Sequence, residues 1–171
     1  LLGFQTKVDE NFVIINFRLQ KYNENERSND LKKKFIVNLE NETITNPQWI
    51  RNHRTKEEDI IIQDYNNKIY LFSNEGKQYW KKIVDGNIIG NVEQVDLFKN
   101  GRLQIAFRTE NRLYVLDRNG KNVKPFPIKI PDSKNLIPLS VFDYDKNRNY
   151  RFLVTQDNNI LMYDKNGKKV S

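Results

Sequence analysis

Leu113-Tyr114-Val115-Leu116-Asp117-Arg118-Asn119-Gly120-Lys121 is an apolar run that ends in an Asp–Xaa–Xaa–Gly–Lys turn. The same pattern stands upstream as Ile69-Tyr70-Leu71-Phe72-Ser73-Asn74-Glu75-Gly76-Lys77 and downstream as Ile160-Leu161-Met162-Tyr163-Asp164-Lys165-Asn166-Gly167-Lys168. An Asp or Ser at the first turn position accepts a hydrogen bond from a backbone N–H further along, and a Gly three residues later takes the positive φ of a type I turn followed by a bulge. Gly76, Gly120 and Gly167 are therefore read as structural turns. They lie 44 and 47 residues apart (120 − 76 and 167 − 120). A period in that range, filled with short strands, marks a repeat of four-stranded units.

The middle repeat reads most clearly. Val92–Phe98 is a strand, Lys99-Asn100-Gly101 a tight turn and Leu103–Arg108 the return. Arg112–Asp117 follows, then a looser Asn122–Ile130, where Pro125 and Pro127 remove backbone donors and predict an edge position. The next repeat maps onto it as Leu139–Tyr144, Arg151–Gln156 and Asn159–Asp164, with a fourth strand opening at Lys168. The preceding one has Trp49–His53, Ile60–Asp64, Lys68–Ser73 and Gln78–Val84. Ahead of it, Phe12–Lys21 and Lys33–Leu39 read as closing strands of an earlier unit, joined by the wholly polar Asn23–Asp30. No 3.6-residue periodicity competes.

Four antiparallel strands every forty-odd residues predict an all-β fold, a β-propeller or propeller fragment, with about three and a half blades visible. The whole span 1–171 is one repeat array: 1–48 closing strands of a preceding blade, 49–88 a blade, 89–134 a blade and 135–171 a truncated blade. A sandwich with accidental turn similarity is the rival; recurrence of type, order and spacing counts against it.

Hydrophobic residues make up 37% of the chain and charged residues 30%, which describes a globular, rather polar protein and not a disordered one. The net charge is +7, but the cations are interleaved with acids and the densest run, Lys32-Lys33-Lys34, opens a strand. A solvated surface outweighs a polyanion site, so nucleic acid is the weaker partner class. The chain has no Cys, which removes disulfides, thiol catalysis and Cys-based metal sites. No run approaches the roughly 18 apolar residues of a membrane helix. The chain opens on Leu1-Leu2-Gly3 without Met and stops just after a turn, so both ends read as cut, and whether a targeting segment was removed stays open.

Ile69–Trp80, an aliphatic strand, a small polar turn, Gly76-Lys77 and then Trp80, is similar to the repeats of quinoprotein-like and, more broadly, WD40-like propellers. Trp49-Ile50-Arg51-Asn52-His53, Leu116-Asp117-Arg118-Asn119-Gly120 and Val141–Phe152 resemble an uncharacterised bacterial, Bacteroidetes-type propeller family. The resemblance covers roughly Trp49 to Ser171. It implies a propeller fold, a Trp after the turn packed between blades, and an extracytoplasmic envelope location, with the cytoplasm as the alternative. Trp80 has no counterpart after Gly120 or Gly167, no Trp-Asp or Gly-His pair of WD40 type is present, and no cofactor is implied.

Asp143, Asp145 and Asn147 place oxygen ligands at alternate positions, as calcium loops do. Arg148 occupies the usual Gly position and Arg151 the ninth, so a structural turn is the stronger reading and the metal a weak candidate. His53, the one histidine, reads as a strand-end His held by backbone. Arg112, Arg118, Arg148 and Arg151 sit on or beside loops and, clustered, would receive a carboxylate or phosphate. Tyr65, Tyr79 and Tyr150, with Arg118 and Arg148, are the recognition candidates, since Tyr presents a large area with a polar tip. Tyr114 and Tyr144 read as packing groups, and Ile61, Phe107, Phe142, Phe152 and Leu153 as core.

No catalytic residue emerges. The expected function is a non-catalytic scaffold or binding module that presents loops to a protein or carbohydrate partner, completed by further blades or by oligomerisation. The alternative is part of an extracytoplasmic propeller enzyme whose active site lies elsewhere, which paired carboxylates converging on a channel would reveal.

Overall fold

In a computed structural model, residues 35–170 are described in full, together with the backbone of 2–9 and 12–19. The strands are β1 (Leu2–Asp9), β2 (Phe12–Leu19), β3 (Ile36–Asn38), β4 (Gln48–Arg51), β5 (Glu58–Gln63), β6 (Lys68–Phe72), β7 (Gln78–Ile83), β8 (Glu93–Val95), β9 (Gln104–Arg108), β10 (Arg112–Leu116), β11 (Ile128–Lys129), β12 (Ser140–Phe142), β13 (Arg151–Gln156) and β14 (Asn159–Asp164). They form antiparallel meanders in chain order: β1-β2-β3, β4-β5-β6-β7, β8-β9-β10-β11 and β12-β13-β14. These are called the first to fourth sheets below. The closing strands expected from sequence do not include β1, whose sequence LGFQTKVD alternates only weakly. The loop predicted at Asn23–Asp30 lies outside the described residues.

The apolar runs are continuous because both faces of the inner sheets are buried. In the second sheet Ile60, Ile62, Tyr70 and Phe72 turn back toward Phe35, Val37 and Leu39. The alternate residues Ile61, Ile69 and Leu71 turn forward and meet Ile105, Phe107, Tyr114 and Leu116 of the third sheet. The third sheet's own forward face, Val95, Ala106, Leu113 and Val115, packs on Phe152, Val154, Leu161 and Tyr163 of the fourth. Three apolar layers therefore alternate with four sheets, and the period-2 side-chain rule assigns each strand residue to one layer or the other.

The three glycine turns are superimposable in their hydrogen bonds. Ser73 N–H donates to the Lys77 carbonyl at 2.8 Å, Asp117 N–H to Lys121 at 2.8 Å and Asp164 N–H to Lys168 at 2.9 Å. In each, the first side chain accepts from the backbone two and four residues on, as with Asp117 Oδ1 and the N–H groups of Asn119 (2.8 Å) and Lys121 (2.9 Å). Gly76, Gly120 and Gly167 have φ of +86°, +77° and +72°. Each is also pressed by the outermost strand of the preceding sheet or the residues beside it: Gly76 by Phe35, Gly120 by Trp80, Gly167 by Pro125 and Ile128. Trp80 Nε1–H further donates to the Arg118 carbonyl at 2.9 Å. The turn glycine thus serves two ends, the left-handed backbone and the close approach of the neighbouring sheet.

Buried polar groups join the second and third sheets to the segments that lead out of them into the next. Gln63 ends β5; its amide donates to the Gly86 carbonyl at 2.9 Å and its Oε1 accepts from Ile88 N–H at 2.7 Å. Arg108, fully buried at the matching end of β9, donates to the carbonyls of Thr109, Glu110, Ile137 and Thr155. Asp64 accepts from Asn41, Tyr70 and the backbone of Asn66 and Lys68. Among the described residues no helix is long and apolar enough to cross a membrane.

Some expectations need correction. Ile61, Phe107 and Phe152 are buried, but Phe142 is 52% exposed and Leu153 only half-buried. Both point out of the face of the fourth sheet that no described residue covers. Tyr114 is buried and stacks on Phe107 at 5.0 Å; Tyr144, read as a packing group, stands 94% exposed in the β12–β13 loop. Val92–Phe98 shortens to β8, where the turn closed by Asp96 begins, and Asn122–Ile130 shortens to β11, because Phe126 leaves the strand line to pack edge-on against Phe152.

Candidate recognition site

The β4–β5, β8–β9 and β12–β13 loops and the three glycine turns all lie at one end of the stacked sheets, because the second and third sheets return there between their first and second and between their third and fourth strands, and the fourth sheet does so after β12 and again after β14. At that end the β4–β5 loop of the second sheet and the Asp117–Lys121 turn of the third enclose a cleft of about 270 Å³, lined by Asn52, Arg54, Thr55, Tyr79, Trp80, Arg118 and Asn119.

Tyr79 reaches the cleft through a bulge. Leu71 pairs with Trp80 and Phe72 with Gln78, so the register skips Tyr79, and the extra residue re-aims its neighbours. Trp80 then faces the third sheet while Tyr79 turns out, with the Arg118 guanidinium carbon 4.5 Å from its ring centroid. That is cation–π distance. Arg118 also forms an ion pair with buried Asp59. Burial pushes the Asp59 carboxyl above its ordinary value, outweighing the opposing pull of Arg118 and of an Asn52 hydrogen bond. One guanidinium nitrogen, Nη1, is covered and has no hydrogen-bond partner among the described residues.

Around this pair the positive charge exceeds the negative. His53 accepts from Leu103 N–H through Nδ1 at 3.1 Å, so backbone does hold it, and its neutral ring carries the proton on Nε2. Burial first, then the nearby charges of Arg54, Arg118, Arg102 and Lys56, push its pKa below the usual value. Asp59 answers Arg118, but among the described residues Arg54 and Arg102 form no ion pair, and Lys56 Nζ caps only the His53 carbonyl at 3.0 Å. A carboxylate entering the cleft would meet the Arg54 guanidinium and the partly neutralised Arg118 beside two aromatic faces.

The other candidate residues are dispersed. Arg148 is at the same end but pairs with Asp96 at 3.0 Å. Tyr150 is half-buried against the core between the third and fourth sheets. Tyr65 stands at the opposite end, exposed beside Asn67, Asp85 and Glu110. Arg112 is at that end too, 3.2 Å from Asp85, and Arg151 bonds the carbonyls of Asn149 and Tyr150. The four arginines do not cluster. The Asp143 carboxylate accepts from Asn147 and Arg148 N–H at 2.9–3.0 Å, and the Asn147 side chain from Asn149 N–H at 2.9 Å. Those are turn-closing bonds. Among the described residues no group of three or more His, Cys, Asp or Glu side chains is placed to hold a metal ion. Sequence reasoning missed Arg54, Lys56 and Arg102, whose convergence with Arg118 around His53 depends on the offset between stacked sheets.

No protein-family model matches the chain, and no curated protein does. Among solved structures it is similar to BBS1N, in the crystal structure of BBS1N in complex with ARL6DN soaked with lead. The TM-score is 0.59 at 13% identity over 99% of this chain. This chain spans 54% of that one. At that identity the likeness concerns the fold, an all-β array of propeller-like sheets.

Proposed function

We propose that this chain is a non-catalytic binding module in which the four sheets act as consecutive propeller blades, and that the cleft between the second and third sheets takes an acidic segment of a partner protein. The observation that carries this reading is the cleft itself: Arg54, without an ion pair among the described residues, lines it beside the Arg118–Tyr79 stack, Trp80 is its wall, and the charges of Arg102 and Lys56 add to the field around neighbouring His53. Guanidinium groups match carboxylates in a planar fork, and Tyr and Trp supply rigid area at low entropic cost. The similar structure BBS1N is itself described with a protein bound, which favours a protein over a glycan. The location is the bacterial envelope, as the repeat resemblance implies; fractionation of producing cells tests it.

Titration with a synthetic Glu-rich peptide, followed by Trp80 emission over a constant Trp49 background, tests the function. Saturable binding that weakens with salt is expected, and Arg54→Ala weakens it about 3–10-fold, the scale of one partly exposed charge contact. Equal binding of a neutral peptide, equal binding of single-stranded RNA of the same charge, or indifference to Arg54→Ala would overturn the reading.

A further inference from the structure

The turn glycines set the repeats in register, so residues at one place in the unit can be compared. Ile69, Leu113 and Ile160 each lie four residues before the first turn residue, opposite Gln63, Arg108 and Thr155. The forward face of the unit is then Ile50, Ile61, Ile69 and Leu71 in the second sheet, Val95, Ala106, Leu113 and Val115 in the third, and Phe142, Leu153, Ile160 and Met162 in the fourth. In the first two cases the next sheet buries all four residues. In the fourth sheet Ile160 is 64% exposed, Phe142 is more than half exposed and Leu153 and Met162 are half-buried.

An independent observation points the same way. The residue closing the second strand of the unit sends its side chain to the backbone of the segment entering the next sheet: Gln63 to Gly86 and Ile88, Arg108 to Ile137. Its counterpart is Thr155, whose Oγ1 is buried and has no hydrogen-bond partner among the described residues. A covered hydroxyl without a partner costs free energy on the order of 1–3 kcal/mol. The neighbouring repeats show which backbone would satisfy it.

We infer that the forward face of the fourth sheet is a docking surface for a further antiparallel sheet of this same repeat, one that lays large apolar side chains against Phe142, Leu153, Ile160 and Met162 and brings a backbone group of its leading segment to Thr155 Oγ1. The occupant follows from continuity with the two interfaces already formed, in which the same positions are covered by Ile105, Phe107, Tyr114 and Leu116 or by Phe152, Val154, Leu161 and Tyr163. A flexible peptide would supply neither a broad apolar face nor a fixed backbone partner.

The test extends the full chain after Val170 with a copy of its residues 124–170. Val123 and Val170 are equivalent: Val123 N–H donates to Val115 at 2.9 Å and Val170 N–H to Met162 at 2.8 Å. A second extension carries residues 80–126, which follow Tyr79, the matching position of the preceding repeat. Hydrogen exchange is measured over Arg151–Gln156 and Asn159–Asp164, with and without Ile160→Lys. At least one extension is expected to slow exchange there by roughly tenfold or more, since burying one Ile side chain shifts a local opening equilibrium that far. Ile160→Lys is expected to be nearly neutral in the unextended chain and to abolish the slowing in the extended one. Unchanged exchange with both extensions, or slowing that survives Ile160→Lys, would overturn the inference.

Discussion

Replacing Gly120 by Ala separates the two demands placed on a turn glycine. Gly120 and Gly101 have nearly the same backbone angle, φ +77° and +75°. They differ in surroundings: a Cβ on Gly120 would lie 2.8, 3.0 and 3.1 Å from three atoms of the Trp80 ring, whereas nothing lies within 4 Å of one on Gly101. Gly101→Ala should therefore cost only the left-handed conformation, about 1–2 kcal/mol. Gly120→Ala adds an overlap that Trp80 cannot relieve by swinging aside, because its Nε1–H is bonded to Arg118; over-packing of this kind costs about 1–3 kcal/mol. The sum is about 2–5 kcal/mol, against about 1–2 for the control. Urea unfolding of both variants gives the difference, and the double variant Gly120→Ala/Trp80→Leu completes a cycle in which the overlap disappears as a coupling of about 1 kcal/mol or more. Equal costs for the two glycines, or additivity within about 0.5 kcal/mol, would refute the claim that the turn is seated against the preceding sheet.

Arg108→Lys should destabilise by about 2–4 kcal/mol in denaturant unfolding, because one ammonium cannot span the carbonyls that the fixed guanidinium fork reaches; a cost below about 0.5 kcal/mol would contradict that role. Burial pushes the Asp64 carboxyl up, but hydrogen bonds from Asn41, Lys68, Tyr70 and Asn66 outweigh it and hold the pKa below the ordinary value. Its contribution is thus fully present above the unfolded value of about 3.9 and lost as pH falls through the lower folded one. Asp64→Asn should lower stability at neutral pH by about 1–3 kcal/mol and flatten the acid limb of the stability–pH curve, as thermal melts across the acid range would show. In the β12–β13 loop, Asp143→Ala should cost about 1–2 kcal/mol through its lost backbone bonds, Asp145→Ala almost nothing, and millimolar calcium should leave the melting temperature of the parent chain in place; a calcium-dependent rise would reinstate the metal.

The parts of the fold that sequence reveals are those with local causes. The glycine turns carry their own hydrogen-bond acceptors. β13 and β14 fall at the residues expected, Arg151–Gln156 and Asn159–Asp164, since a tight turn bounds them on the inner side. β11 was over-extended because the departure of Phe126 toward Phe152 is a tertiary effect that prolines alone do not report. Phe142 and Phe152 have the same residue type and opposite fates, decided only by whether a sheet lies over their face. Tyr79 and Arg118 were legible as recognition candidates, but not as a pair, because a bulge and an inter-sheet offset bring them together. Arg54 and Arg102 carried no local signal: they come from two loops 48 positions apart (102 − 54) that only the stacking of sheets makes neighbours.

The central claim is that one sheet unit recurs and that each copy rests its turn glycine on the copy before. Proton NMR tests it most directly. Strong nuclear Overhauser effects are predicted from the Trp80 indole ring to the Gly120 α-protons, with ring-current upfield shifts, and matching effects from Phe35 to Gly76 and from the Ile128 methyls to Gly167. Loss of the Gly120 effects, or of both of the others, would show that the sheets do not stack in this register and would contradict the account.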